Sequence, residues 1–253
     1  MKKIFKGFIM SVMMFSIIPM PSSAWDDESM PYCIPFFPLV GVIIGVTWYA
    51  VSMAIMANFT HSLLSSAFIM LYPFVLSGFI HTDGFIDTAD AVYSRRDIEE
   101  KKRILKDPHM GAFAAIALCV LFLLNFSAVY DITSAGKPIT AFIFLPFASR
   151  SISGFALLAF KPLSDKGFGA MFKNNTGKAH IIVLVFFICI CIVLSYAAGG
   201  LFIFLPVVTA SLAALLTIWY LYRQFKGVSG DICGAVVIVS ELAGLICTAL
   251  INF

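Results

Sequence analysis

Seven near-continuous apolar stretches decide what this chain can become: 35–57, 62–80, 112–130, 139–160, 181–196, 201–222 and 232–251. A helix needs roughly 20 such residues to cross the hydrocarbon of a bilayer. The chain is 60% hydrophobic and 12% charged, whereas a soluble domain carries roughly a quarter charged residues. So little charge cannot clothe a globule in polar groups, which leaves lipid as the solvent. The fold expected is an all-α, polytopic membrane helical bundle of about seven spans, forming one membrane-embedded domain over 1–253.

All of the 17 Lys and Arg residues except Lys137 and Arg150 fall in four groups. Lys2, Lys3 and Lys6 open the chain. Arg95, Arg96, Lys101, Lys102, Arg103 and Lys106 follow the second span. Lys161, Lys166, Lys173 and Lys178 follow the fourth, and Arg223 and Lys226 follow the sixth. Basic loops stay on the cytoplasmic side of the cell's inner membrane. Two spans separate each of the last three groups from the next, so loops 81–111, 161–180 and 223–231 share that side.

The N-terminus tests this assignment. Residues 1–24 resemble a secretory signal, with a basic start, an apolar run over 4–20 and Pro-Ser-Ser-Ala before Trp25. Cleavage there, or a full crossing by 4–20, puts the 95–106 loop outside, against its charge. The parity closes only if 4–20 does not cross. That predicts an interfacial or re-entrant helix ending near Pro19 and Pro21, and a C-terminus outside. No long basic run interleaved with aromatics is present, which sets nucleic acid aside as a partner. The cysteines lie almost entirely within apolar runs and form no C-x-x-C pair, so they read as small hydrophobic packing rather than as zinc ligands.

The chemistry lies directly after the second span, in His81-Thr82-Asp83-Gly84-Phe85-Ile86-Asp87-Thr88-Ala89-Asp90. Asp83, Asp87 and Asp90 are spaced i, i+4, i+7 and so share one face of a helix. Like charges so placed call for a cation. Clustered carboxylates are hard ligands suited to Mg²⁺, or to Mn²⁺, shared with a phosphate, and no soft ligand accompanies them to select zinc. The bland alternative is a solvated acidic helix end balanced by Arg95, Arg96 and Lys101. Asp107 is either a fourth carboxylate, with Lys106 beside it as a phosphate contact, or the cap of a helix entered through Pro108. His81 is a general base, a phosphate contact or a plain hydrogen-bonding residue.

Two more segments share that face. Residues 161–180 hold Asp165, Gly167, Gly169, Asn174, Asn175, Gly177 and Lys178, a composition suited to an anion-binding loop, though no P-loop pattern is present. Gly227, Gly230 and Gly234 open the last span around Asp231, a further ligand candidate. Arg150 and Glu241 lie inside apolar runs, where charges are expensive. They either pair with each other, or Arg150 holds a phosphate or carboxylate. These parts suit phosphoryl-type transfer, in which carboxylate-held metal and Lys or Arg side chains clamp a diphosphate for in-line attack by a hydroxyl. The candidate catalytic residues are His81, Asp83, Asp87 and Asp90. The candidate metal ligands are Asp83, Asp87, Asp90 and Asp107. The candidate substrate contacts are Arg95, Arg96, Lys106, Arg150, Lys178, Asp231 and Glu241.

At these residues the chain resembles the cobalamin synthase family, the adenosylcobinamide-GDP ribazoletransferases. The family pattern G-x-x-H-x-D-G-x-x-D-T-x-D-G reads here as Gly78 through Ala91, with Ala91 in place of the usual Gly. An F-P-L-[VI]-G segment matches Phe37 to Gly41, a D-x-x-x-G element matches Asp107 and Gly111, and a G-x-G segment matches Gly167 and Gly169. A mid-span Arg matches Arg150. A T-G-D-x-x-G-A segment followed by E matches Ser229 to Ala235 and Glu241, with Ser for the usual Thr. The resemblance runs nearly end to end. It implies Mg²⁺-assisted joining of adenosylcobinamide-GDP to α-ribazole or its 5′-phosphate, with release of GMP. The nearest enzyme rival, a CDP-alcohol phosphotransferase, needs a D-G-x-x-A-R pattern that is absent, since Asp87-Thr88 follows Asp83-Gly84. A transporter would want polar groups near the bilayer midplane, and only Arg150 and Glu241 qualify. Oligomeric state is left open by the sequence.

Overall fold

A computed structural model describes residues 2–22, 25–59, 62–165, 167–174 and 176–251. Lys166, Asn175 and the Ser23-Ala24 end of the signal-like segment lie outside the described residues, as does the side chain of Asn174. The helices are α1 (Lys2–Phe15), α2 (Phe37–Asn58), α3 (Leu63–Leu76), α4 (Ile80–Tyr93), α5 (Ile98–Ile104) and α6 (Ala112–Ser134), then α7 (Ala141–Ala159), α8 (Phe168–Asn174), α9 (Lys178–Gly199), α10 (Leu201–Phe225) and α11 (Gly230–Leu250). Short 3-10 turns at Asp27–Tyr32 and Ile34–Phe36 lead into α2. Among the described residues, α2, α6, α7, α9, α10 and α11 are each long and apolar enough to cross a membrane. The chain is therefore the expected multi-pass helical bundle.

The second expected span, 62–80, departs from a straight crossing. Its helix α3 stops at Leu76, and the chain bends by 90° into α4. Gly78 takes a left-handed φ of 63°. The Phe79 N–H donates to Phe74 O and the Gly78 N–H to Val75 O, both at 2.9 Å. That pair of bonds closes the helix with a glycine-based C-cap. Hydropathy alone missed the break because the residues around it are apolar. α3 has 14 residues, fewer than a crossing needs, and reaches span length only together with α4, as a broken span or a re-entrant loop. α4, beyond the bend, carries the aspartates and rests against the first turns of α6 and α11.

α1 has 14 residues, too few for a helix to cross a bilayer. Lys3 pairs with Glu28 at 2.6 Å and Lys6 with Asp26 at 3.1 Å, so the chain doubles back before α2. The Ile17 N–H bonds Leu76 O at 2.9 Å, which ties the end of α1 to the end of α3. Met10 and Val12 are buried while Ile4 and Phe5 face outward, the pattern of a helix lying in an interface.

α7 is the buried centre of the bundle, and α2 packs against it through glycines. A Cβ on Gly41 would sit 2.2 Å from Pro146 O, and one on Gly45 would sit 2.3 Å from Ile143 O. Small residues allow such close approach where lipid supplies no hydrophobic drive. One turn on, Trp48 stacks on Phe142 at 4.1 Å and donates its indole N–H to Ile69 O at 2.7 Å, joining α3. Arg150 on α7 bonds Glu241 on α11 at 2.6 Å, and Ser149 donates to the same oxygen at 2.7 Å. Of the two sequence alternatives for these charges, the structure has them paired. Lys137 closes the opposite face by donating to Ala249 O and to Ile251 O, capping α11. The cysteines are free thiols, with Cys33, Cys191 and Cys233 buried.

Gly41→Ala is expected to destabilise the protein by about 1–3 kcal/mol, because backbone on both sides must move. A lower melting temperature in detergent is the readout, and an unchanged one contradicts the close α2–α7 contact.

Candidate active site

Two glycines set the site's geometry. A Cβ on Gly84 would lie 2.6 Å from Asp231 Cα, and one on Gly234 would lie 3.0 Å from His81 O. The α4 backbone is therefore laid directly on the first turns of α11. Asp83, one residue before Gly84, comes beside Asp231, nearly 150 residues later in the chain. The other end of α4 is fixed to α6, where Asp90 Oδ1 accepts from the Ala114 N–H at 3.2 Å. A Cβ on Gly111 would meet that carboxylate at 2.3 Å.

The three loops expected to share a face do so. The Val228 N–H bonds Lys161 O and the Leu163 N–H bonds Val228 O, each at 2.9 Å, joining the 161–165 and 226–229 segments. Lys101 on α5 is buried and donates to Gln224 at 2.5 Å, joining 95–106 to the end of α10.

These elements enclose a cavity of about 380 Å³. His81 and Asp83 from α4 and Gly230, Asp231 and Gly234 from α11 form its polar side. Met14, Phe15, Ile34 and Phe37 from the N-terminal region form an apolar side, and Ser153, Gly154 and Phe172 complete the wall. The α1 and α7 contributions were not foreseen from sequence. The small polar run Ser149-Arg150-Ser151-Ile152-Ser153 inside a span was the available signal for α7. Nothing in the hydrophobic α1 marked Met14 or Phe15.

Asp87 and Asp90 continue the acidic line along α4. Burial, followed by repulsion from Asp83, Asp231 and Asp90, pushes the Asp87 carboxyl up to about 6. Among the described residues none of these four carboxylates has a basic partner within 4.0 Å. His81 is 5% exposed, and its Nε2 is buried without a hydrogen-bond partner among the described residues. The rings of Phe15 and Phe37 stand 6.1 and 5.5 Å away. Burial, then the nearby Arg150 charge, holds the His81 pKa well below its usual value, so the imidazole is neutral at pH 7.

Other candidates stand apart. Asp107 accepts from the His109 N–H at 3.0 Å and contacts its ring Nδ1 at 2.8 Å. Those bonds hold the Asp107 carboxyl below its usual range. Arg95, Arg96, Lys106 and Lys178 are exposed around the site face. Arg150 and Glu241 are taken up by each other and do not line the cavity.

No three of the described His, Cys, Asp and Glu side chains converge into a preformed metal cage. Mg²⁺ does not ask for one, since it is commonly held by one or two carboxylates together with substrate phosphates. Unpaired carboxylates under mutual repulsion fit that role; the His81 imidazole and Cys233 thiol that line the same cavity are buried and do not group with them as a metal cage. Asp83 and Asp231 are the pair that would hold it, with Asp87 adjacent.

The repulsion has a measurable signature. The folded-state pKa of Asp87 lies above its unfolded value, so the folded state binds this proton more tightly. The stabilisation is full below about pH 4 and is lost as pH rises through about 6. In metal-free buffer Asp87→Asn is expected to raise the melting temperature at pH 8, with the gain shrinking as the pH falls below 6. A variant less stable than wild type at pH 8 contradicts the repulsion.

Comparison with known proteins covers nearly the whole chain. The family model described as Cobalamin-5-phosphate synthase matches residues 7–249. A Clostridium botulinum protein named adenosylcobinamide-GDP ribazoletransferase is 35% identical over 99% of both chains. One from Clostridium perfringens is 30% identical over 99% of this chain and 100% of its own. One from Clostridioides difficile is 30% identical over 98% of both. No solved structure matches.

Proposed function

The chain belongs to the cobalamin-5-phosphate synthase family, and we propose that it is a membrane transferase joining adenosylcobinamide-GDP to α-ribazole or its 5′-phosphate with release of GMP. The observation that carries this reading is the meeting of Asp83 and Asp231, unpaired and from distant segments, on the wall of one cavity. A structural role would have given such carboxylates basic partners. The basic loops argue for a cytoplasmic placement of the site in the inner membrane.

In the reaction, a ribose hydroxyl of the acceptor forms a new O–P bond at the cobinamide-linked phosphorus. The bond from that phosphorus to the bridging oxygen breaks, and GMP departs with the electron pair. Mg²⁺, when bound, neutralises diphosphate charge and stabilises the leaving phosphate. Asp83 and Asp231 hold the cation side of that assembly. Asp87, with its raised pKa, is suited to take the hydroxyl proton near neutral pH. Neutral His81 orients the acceptor through its free Nε2. Asp90 positions the far end of α4 on α6. Arg95, Arg96, Lys106 and Lys178 supply positive charge around the face to attract the anionic donor.

Protein in lipid nanodiscs, given adenosylcobinamide-GDP, α-ribazole and Mg²⁺, is expected to release GMP and form a cobalamin product. Chelation should abolish the reaction, and Asp83→Asn and Asp231→Asn should each lower kcat at least on the order of 10²-fold. Full activity in both variants would remove the carboxylate site from the mechanism. No product from folded wild-type protein would remove the reaction itself.

A further inference from the structure

The cavity is small, aromatic on one side and, among the described residues, lined by no Lys or Arg. Its volume of about 380 Å³ lies near the bottom of the roughly 300–1,000 Å³ typical of pockets for drug-sized ligands. An adenosylated corrinoid bearing GDP is several times too large for it. A diphosphate placed inside would face two carboxylates and, among the described residues of the lining, no cationic side chain. A nucleoside with an uncharged aromatic base has the size and polarity to fill it. The rings of Phe15 and Phe37 lie 4.2 Å apart, centroid to centroid, and both flank His81. His81 stands on that wall, and its Nε2, buried without a partner among the described residues, is the polar group that a small turn of the ring offers to a hydrogen-bonding ligand.

We infer that this cavity is the acceptor site, holding the flat base of α-ribazole against Phe15 and Phe37 and a ribose hydroxyl at His81, while the donor lies outside it along the α4 carboxylates. The assignment rests on the proposed reaction for the identity of the acceptor. It gives α1 a function that its signal-like sequence conceals, because Met14 and Phe15 close the pocket. The bonds from Lys3, Lys6 and Ile17 hold that wall in place. The ribose end of the acceptor then meets the donor phosphorus where Asp83 and Asp231 stand, so the two substrates approach from opposite sides of the α4–α11 contact.

The test is equilibrium binding of radiolabelled α-ribazole to the full chain in nanodiscs, beside steady-state KM values for both substrates. Met14→Trp fills the cavity and Phe15→Ala removes an aromatic wall. Each is expected to weaken α-ribazole binding by about tenfold or more. The KM for adenosylcobinamide-GDP should stay within about twofold in both. A donor KM that rises with acceptor binding unchanged overturns the assignment, as does wild-type protein that fails to bind α-ribazole. If Met14→Trp does not fold, as judged by its melting profile, Phe15→Ala decides alone. Binding that both variants weaken, in protein with no turnover, would uphold the pocket while removing the proposed reaction.

Discussion

The structure depends on one close approach: α4 lies on the start of α11 with no side chain between them at Gly84 and Gly234. At Gly84 only glycine permits that distance, because a Cβ would overlap the Asp231 backbone, and at Gly234 a Cβ would be tight against His81 O at 3.0 Å. The consequence is electrostatic. Carboxylates from segments nearly 150 residues apart in sequence come to share one wall, and the repulsion between them is left uncompensated by the protein. The same approach sets His81, two residues before Asp83, on the wall of the cavity.

Around this contact the fold works as a frame. α7 is held to α2 by glycines and to α11 by the Arg150–Glu241 pair. The pair sits within the bundle, where an isolated charge would be costly. Burial first, and the Arg150 guanidinium second, keep His81 neutral, so a charge buried for structural reasons adds to the tuning of a group at the site. The bond from the Val228 N–H to Lys161 O, and the bond from Lys101 to Gln224, gather the basic segments around the opening. Held charge repulsion at the cavity and tight packing beneath it fit a site that is completed when cation and diphosphate arrive together.

Much of this was legible in the sequence. The multi-pass bundle followed from apolar length, because lipid imposes it; six helices reach span length among the described residues, and a seventh crossing needs α3 and α4 together. The helical face shared by Asp83, Asp87 and Asp90 followed from spacing alone. Other features were not legible. The bend at Ser77–Phe79 was masked by apolar residues that read equally well as a continuing span. Asp107 bonds its own neighbour His109, a local choice that residue type does not reveal. Asp90 caps α6, which depends on where that helix begins relative to α4. The cavity wall supplied by Met14 and Phe15 is tertiary in origin, since hydrophobic residues on a helix look alike whether they face lipid or a ligand.

The central claim is that Asp83 and Asp231 form a cation site completed by a diphosphate. Electron paramagnetic resonance of Mn²⁺ titrated into the protein in nanodiscs tests it most directly. Mn²⁺ should bind weakly alone and much more tightly with adenosylcobinamide-GDP present, and this gain should vanish in the Asp83→Asn/Asp231→Asn double variant. Tight, substrate-dependent Mn²⁺ binding that persists in the double variant would contradict the account.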